Sequence, residues 1–237
     1  MAKQKKTRKQ LLKEPDEFIT VTGKAIAFVS EYQNQISYAL IAIVAIALIF
    51  FGYRFFAQRA ESKAFSILGQ TQSKYETLKK ASSAIEAYNQ VSEAFQSIIK
   101  KYGGNAGGKF ARVIYANISY DAEQYEKAIT LYKKSLNDFK TDKLVYYMIL
   151  SNLGYAYQQV EDLQNAVIYF EKASSATDSQ ISEEALFNLG LIYEKLGETD
   201  KSKAAFQKIV NNHPNSIYLS IVEEKLATLR TENNLQN

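Results

Sequence analysis

The chain has 237 residues, 46% of them hydrophobic and only two of them proline, which is enough apolar material for a core and excludes a disordered or low-complexity segment. With no cysteine and one histidine, His213, it cannot build disulfides, thiolate zinc sites or thiol nucleophiles, and it has almost nothing for an imidazole base. The net charge of +4 is a poor average: residues 1–13 carry Lys3, Lys5, Lys6, Arg8, Lys9 and Lys13 without an acid, whereas from Glu61 onward 20 Lys and Arg face 21 Asp and Glu. The basic excess is therefore an N-terminal arm, not a nucleic-acid surface on the rest of the chain.

Ala, Leu, Ile, Lys, Glu, Gln and Tyr dominate, and no alternating run of β-branched and aromatic residues persists, so an all-α fold is expected. In chain order the first segment, residues 1–35, reads as a basic cytoplasmic arm. Pro15 followed by Asp16 and Glu17 is a helix start. Phe18, Val21, Ala25, Phe28, Val29 and Tyr32 recur every three or four residues, the pattern of a helix lying along a membrane surface.

Residues 32–53 carry no charge, and Ile36–Tyr53 is almost wholly apolar. A helix rising about 1.5 Å per residue needs roughly 20 residues to cross a hydrocarbon core, so a transmembrane helix is expected over 36–56. Tyr32, Tyr38 and Tyr53 stand near its ends, where amphipathic rings settle. A buried core helix of this length would carry a polar stripe. A cleaved signal peptide would start nearer the N-terminus and end in small residues rather than Gly52-Tyr53-Arg54-Phe55-Phe56. Seven Lys and Arg precede the span and four, Arg54, Arg59, Lys63 and Lys74, come closely after it. That bias puts the N-terminus in the cytoplasm and the larger part outside, in the periplasm of a bacterium.

Residues 57–82 are expected to continue outward as a helical stalk, with Phe65, Leu68 and Leu78 packing on the first hairpin and a bend at Lys79–Ser82. Ser83 and Glu86 form a capping box ahead of Ile85, Tyr88, Val91, Phe95, Ile98 and Ile99, an amphipathic helix over 83–102. Gly103–Gly108 should end it and act as the most flexible joint.

The remainder repeats itself. Phe95–Asn105 aligns without gaps on Phe206–Ser216. Leu153-Gly154 with Tyr157, then Ala166, Phe170 and Ala173, matches Leu189-Gly190 with Tyr193, then Ser202, Phe206 and Ile209. Gly154 and Gly190 are 36 residues apart, and Ala116, Ala128 and Tyr132 fill the same slots of an earlier copy. Leu-Gly-x-x-Tyr, a small residue nine places on and an aromatic four later resemble the tetratricopeptide repeat, whose period is roughly 34 residues. The resemblance covers about residues 84–230. The first copy departs from it with Ser119 in the Tyr slot, and the second with Asp178 in place of a terminal Pro.

The resemblance implies a solenoid of helical hairpins: a half repeat at 83–102, repeats at about 109–141, 147–180 and 183–214, and a capping helix at 216–230, with 231–237 a frayed tail. Small residues at 116, 154 and 190 let the two helices of a hairpin approach, and stacking buries what no single hairpin can. In such a stack the first helix of each hairpin lines the concave face. The expected partner groove is Phe110, Val113, Asn117 and Tyr120 from the first, Met148, Ser151, Asn152 and Tyr155 from the second, and Glu184, Phe187, Asn188 and Leu191 from the third. Its aromatics, aliphatics and amides suit a protein or peptide segment with apolar residues. The Lys and Arg clamp with which chaperone-binding repeats hold a terminal carboxylate is disfavoured: Asn117 fits it, but Val113 stands where Lys is needed.

No P-loop, dinucleotide fingerprint, zinc-protease or nucleophile-elbow motif occurs. The acid pairs Asp121/Glu123, Glu161/Asp162 and Glu183/Glu184 read as dipole-favoured helix starts. Neither enzyme activity nor a cofactor or metal is expected. The layout of basic arm, single early span, stalk and repeats is similar to that of the YfgM-like group. That resemblance implies a single-pass inner-membrane protein, ancillary to the Sec translocon, which links it to periplasmic chaperones and holds envelope proteins in its groove. The alternative is a scaffold or assembly factor for a pilus, secretion or respiratory complex.

Overall fold

The computed structural model describes residues 17–236, and the chain divides into two units, Met1–Arg59 and Ala60–Asn237. Every regular element among the described residues is a helix. The basic cluster from Lys3 to Lys13 and the Pro15 helix start lie outside those residues.

Helix α1 spans Glu17–Glu31, and after Tyr32 the chain enters α2, Gln33–Ala81. Backbone bonds from Tyr32 N to Phe28 O (3.0 Å) and from Ile36 N to Tyr32 O (2.9 Å) keep the helical pattern across the break. Helix α2 is long and apolar enough to cross a membrane, and its apolar stretch is unburied within the protein.

In the second unit the C-terminal part of α2 is no bare stalk. Ala64, Leu68, Thr71 and Tyr75 fall on one face at spacings of four, three and four, and all are buried. Leu78 is half-buried against the same core, whereas Phe65 stays 41% exposed with its ring 6.1 Å from that of Phe110. The chain turns at Ser82-Ser83. The Ser83 hydroxyl accepts from Glu86 N (3.3 Å) to cap α3, Ala84–Tyr102, which buries Ala87, Val91, Phe95 and Ile98.

In the glycine-rich segment after α3, where a flexible joint is expected, Gly104 is exposed but the later glycines are packed. Asn105 caps α4, Ala106–Asp121, accepting from Gly108 N at 3.1 Å, so Gly107 and Gly108 belong to its first turn and are buried. A Cβ on Gly107 would stand 2.7 Å from that of Ala64. Gly107 and Gly108 are there for close approach of backbones. At the other end of α4, Asp121 Oδ2 accepts from Lys79 Nζ (2.7 Å) and from Tyr75 OH (3.4 Å). Ala64 meets residue 107 and Lys79 meets residue 121, so the end of α2 and α4 run parallel, as successive first helices of a hairpin stack do.

Three hairpins come next: α4 with α5 (Tyr125–Asp138), α6 (Lys143–Gln159) with α7 (Leu163–Ala173), and α8 (Ser179–Lys195) with α9 (Thr199–Asn212). Each turns the same way. Gln124 N bonds Ser119 O and Glu123 N bonds Tyr120 O; Asp162 N bonds Tyr157 O and Glu161 N bonds Gln158 O; Glu198 N bonds Tyr193 O and Gly197 N bonds Glu194 O. These are Schellman motifs, and their left-handed residues are Glu123 (φ 61), Glu161 (φ 59) and Gly197 (φ 73). Asp121, Glu123 and Glu161 therefore end first helices rather than start second ones, whereas Asp162 is the N-cap of α7, accepting from Asn165 N at 3.1 Å.

Inside each hairpin an aromatic of the second helix fills the notch left by a small residue of the first. Phe170 lies under Gly154 and Phe206 under Gly190, both rings fully buried, while Tyr132 and Ala116 are buried in the first hairpin. The packing of Phe170 and Phe206 is thus against their own hairpin, not only against the next. The last helix, α10, runs from Leu219 to Gln236 and buries Val222, Leu226 and Leu229. It continues past residue 231, where a frayed tail was expected. Residues 231–236 hold no Gly or Pro to stop it, and Thr231 Oγ1 bonds Ala227 O at 3.0 Å.

Candidate partner groove

The first helices of the hairpins, α4, α6 and α8, are bridged by polar side chains. Asn117 is exposed, and its Oδ1 accepts from Tyr132 OH (2.6 Å) and from Asn152 Nδ2 (3.3 Å). One amide thus joins the second helix of its own hairpin to the first helix of the next. One step along, Tyr155 OH donates to Glu184 Oε1 at 2.6 Å and accepts from Asn188 Nδ2 at 2.8 Å. Asn188 also donates to Glu184 O at 2.8 Å. The phenols respond to their surroundings. Burial, then the charge of Asp121, pushes Tyr132 well above the ordinary tyrosine value, and burial, then the bond to Glu184, does the same for Tyr155.

Met148, Ser151, Asn152, Tyr155 and Glu184 line a single pocket of about 290 Å³ between α6 and α8, completed by Leu144, Asp178, Gln180 and Ile181. Met148 and Leu144 are about half exposed at its side. Ser151 is only 6% exposed, and its hydroxyl has no hydrogen-bond partner within the protein. Leu144, Asp178, Gln180 and Ile181 are missing from the sequence-based set. They precede or open their helices, one turn ahead of the slots that repeat spacing picks out.

The other candidates are more occupied by the fold. Phe187 stacks on Tyr218 with centroids 4.5 Å apart and lies 6.2 Å from Phe206, which makes it a support for the end of the stack. Leu191 and Val113 are half-buried against the core. Phe110 stands edge-on to buried Phe139 at 5.0 Å, beside Phe65, and Tyr120 stands edge-on to Tyr125 at 5.4 Å. Asn188 is buried beneath the Tyr155–Glu184 bridge.

A second cavity of about 360 Å³ lies on the second-helix side, lined by Glu171, Tyr193, Lys201 and Lys208 among others. There Tyr193 OH donates to Glu171 (2.8 Å) while Lys201 Nζ lies 5.4 Å from its ring centroid. No group of His, Asp and Glu among the described residues could hold a metal ion.

Two segments, residues 149–179 and 184–216, match the tetratricopeptide repeat family. They are the second and third hairpins. The human intraflagellar transport protein 88 homolog is 28% identical over 142 residues, covering 59% of this chain; the chain spans 16% of that relative's length. Among solved structures, a tetratricopeptide repeat protein from Parabacteroides merdae superposes with a TM-score of 0.56 at 16% identity, over 71% of this chain and 62% of that one. BtubC (BKLC) from P. vanneervenii gives 0.53 at 12% identity, over 75% and 84%. The fold is that of tetratricopeptide repeat proteins. Tetratricopeptide repeats form a class of interaction modules whose members bind proteins or peptides and are typically not enzymes.

Proposed function

We propose that the chain is a non-enzymatic, single-pass protein of the bacterial inner membrane that holds envelope proteins or their apolar segments along the row of first helices. The observation that carries this reading is the pocket between α6 and α8, where half-exposed Met148 and Leu144 stand beside the unpartnered hydroxyl of Ser151. Exposed apolar side chains lining a concave pocket are what a bound polypeptide covers. Anchoring rests on the uncharged run 32–53 and on the unburied apolar stretch of α2. Orientation, with the N-terminus cytoplasmic and the repeats periplasmic, rests on the Lys and Arg excess ahead of that run.

The layout of arm, span and repeats favours an ancillary role at the Sec translocon and its periplasmic chaperones. The competing role is a scaffold for one envelope machine. External protease on spheroplasts tests the orientation: the repeats are digested if periplasmic and survive until lysis if cytoplasmic. Pull-down from detergent-solubilised membranes then separates the roles. Translocon subunits with chaperones are expected, and a single stoichiometric machine in their place overturns the translocon reading.

A further inference from the structure

The 290 Å³ pocket between α6 and α8 has a definite charge. Two carboxylates line it, Asp178 and Glu184, and no Lys, Arg or His does. Among the described residues neither carboxylate has an ion-pair partner. Lys143, next to Leu144 in sequence, holds its Nζ 5.6 Å from the Tyr146 ring centroid and is not among the lining residues. Both carboxylates are fixed by the fold. Asp178 Oδ1 caps α8, accepting from Gln180 N (3.0 Å) and Ile181 N (3.2 Å), and Glu184 Oε1 accepts from Tyr155 OH. The apolar walls are Leu144, Met148 and Ile181, with Asn152, Tyr155 and Gln180 beside them, and Ser151 beneath is 94% buried with a hydroxyl that has no partner.

We propose that this pocket receives one Lys or Arg side chain of the bound polypeptide. The inference rests on the groove reading above and names the chemistry of its ligand. A long basic side chain is an apolar stem with a charged head. The stem would lie along Leu144, Met148 and Ile181, and the head would meet Asp178 and Glu184. The cavity falls just below the range of about 300–1,000 Å³ in which whole small-molecule ligands are held, a size that suits a single side chain. An acidic side chain or a terminal carboxylate would face two like charges with nothing to offset them.

The test is selection of a phage-displayed random dodecapeptide library on the full chain in detergent micelles, in parallel with the Asp178→Asn/Glu184→Gln variant. Asn remains an N-cap and Gln still accepts from Tyr155, so the variant keeps the internal bonds. Glu184→Gln alone serves if the double variant melts early. Peptides enriched on the wild type are expected to share a Lys or Arg beside apolar residues. Norleucine at that position should weaken the synthesised peptide about tenfold or more on the wild type and leave its binding to the variant unchanged. Enrichment without a basic residue, or equal binding of the norleucine peptide, overturns the pocket assignment and leaves the groove standing. If no peptide is enriched, the groove reading falls and the assignment falls with it.

Discussion

A Cβ built on Gly154 would stand 2.8 Å from three atoms of the Phe170 ring, and that ring is fully buried. Gly154→Ala sets two effects against each other. Alanine gains about 1 kcal/mol in a helix interior, whereas forcing a methyl into a filled core costs about 1–3 kcal/mol. Because the ring has no open space to move into, the net change is expected to be a loss of stability. Gly69, on the exposed face of α2, has nothing within 4 Å of its notional Cβ, so Gly69→Ala should gain about 0.5–1 kcal/mol. Thermal melts of the two variants by circular dichroism should move in opposite directions.

The three Schellman turns give a paired prediction. Glu161 holds a left-handed backbone that a side chain disfavours, and Gly197 holds the same conformation without that strain. Glu161→Gly is expected to raise stability by up to about 1 kcal/mol, and Gly197→Ala to lower it by at least as much. Urea midpoints at unchanged slope check both.

Buried hydroxyls separate likewise. Ser202 Oγ donates to Gly190 O at 2.9 Å and ties the second helix of its hairpin to the first. Ser202→Ala should cost about 1 kcal/mol. Ser151 has no such bond, so Ser151→Ala should be neutral or stabilising by about 1 kcal/mol in the free protein. A fall in the melting temperature of Ser151→Ala comparable to that of Ser202→Ala would contradict the assignment.

Tyr132, Tyr155 and Tyr193 all have their ionisation raised above the ordinary value of 10.0, first by burial, with Asp121, Glu184 and Glu171 respectively adding to it. A phenol harder to ionise when folded holds its proton while the unfolded chain releases it. The stabilisation is therefore complete below pH 10 and declines as the pH rises above it. Melting temperature should fall above that pH, and less steeply in Tyr155→Phe. The part of the phenolate absorbance at 295 nm that Tyr155→Phe removes should rise together with loss of helix rather than before it.

The Leu-Gly-x-x-Tyr spacing made the second and third hairpins legible because their notch residue is glycine and their filler aromatic, Gly154 with Phe170 and Gly190 with Phe206. The hairpin turns were hidden, since two of the three left-handed positions are Glu123 and Glu161 rather than glycine. The inward face of α2, Ala64 to Tyr75, is hard to see in sequence because it carries no repeat signature and comes after an apolar run in the same helix. In Gly103–Gly108 composition does not distinguish a glycine that frees the backbone from one, such as Gly107, that lets Ala64 come close. Repeat spacing picks out Met148, Ser151, Asn152, Tyr155 and Glu184, which line the pocket, and also Phe187, whose ring is stacked on Tyr218. The ring that covers Phe187 belongs to Tyr218, beyond the turn after α9, and no local period links those two positions.

The parallel pairing of residues 64–79 with 107–121 has a consequence for the length of polypeptide that the proposed groove would hold. It adds a fourth rod to the row formed by α4, α6 and α8. With neighbouring axes about 8–10 Å apart, four rods span about 24–30 Å, the reach of about seven to nine residues of extended polypeptide. A tract of that size can touch every rod at once, and a tetrapeptide can cover no more than two.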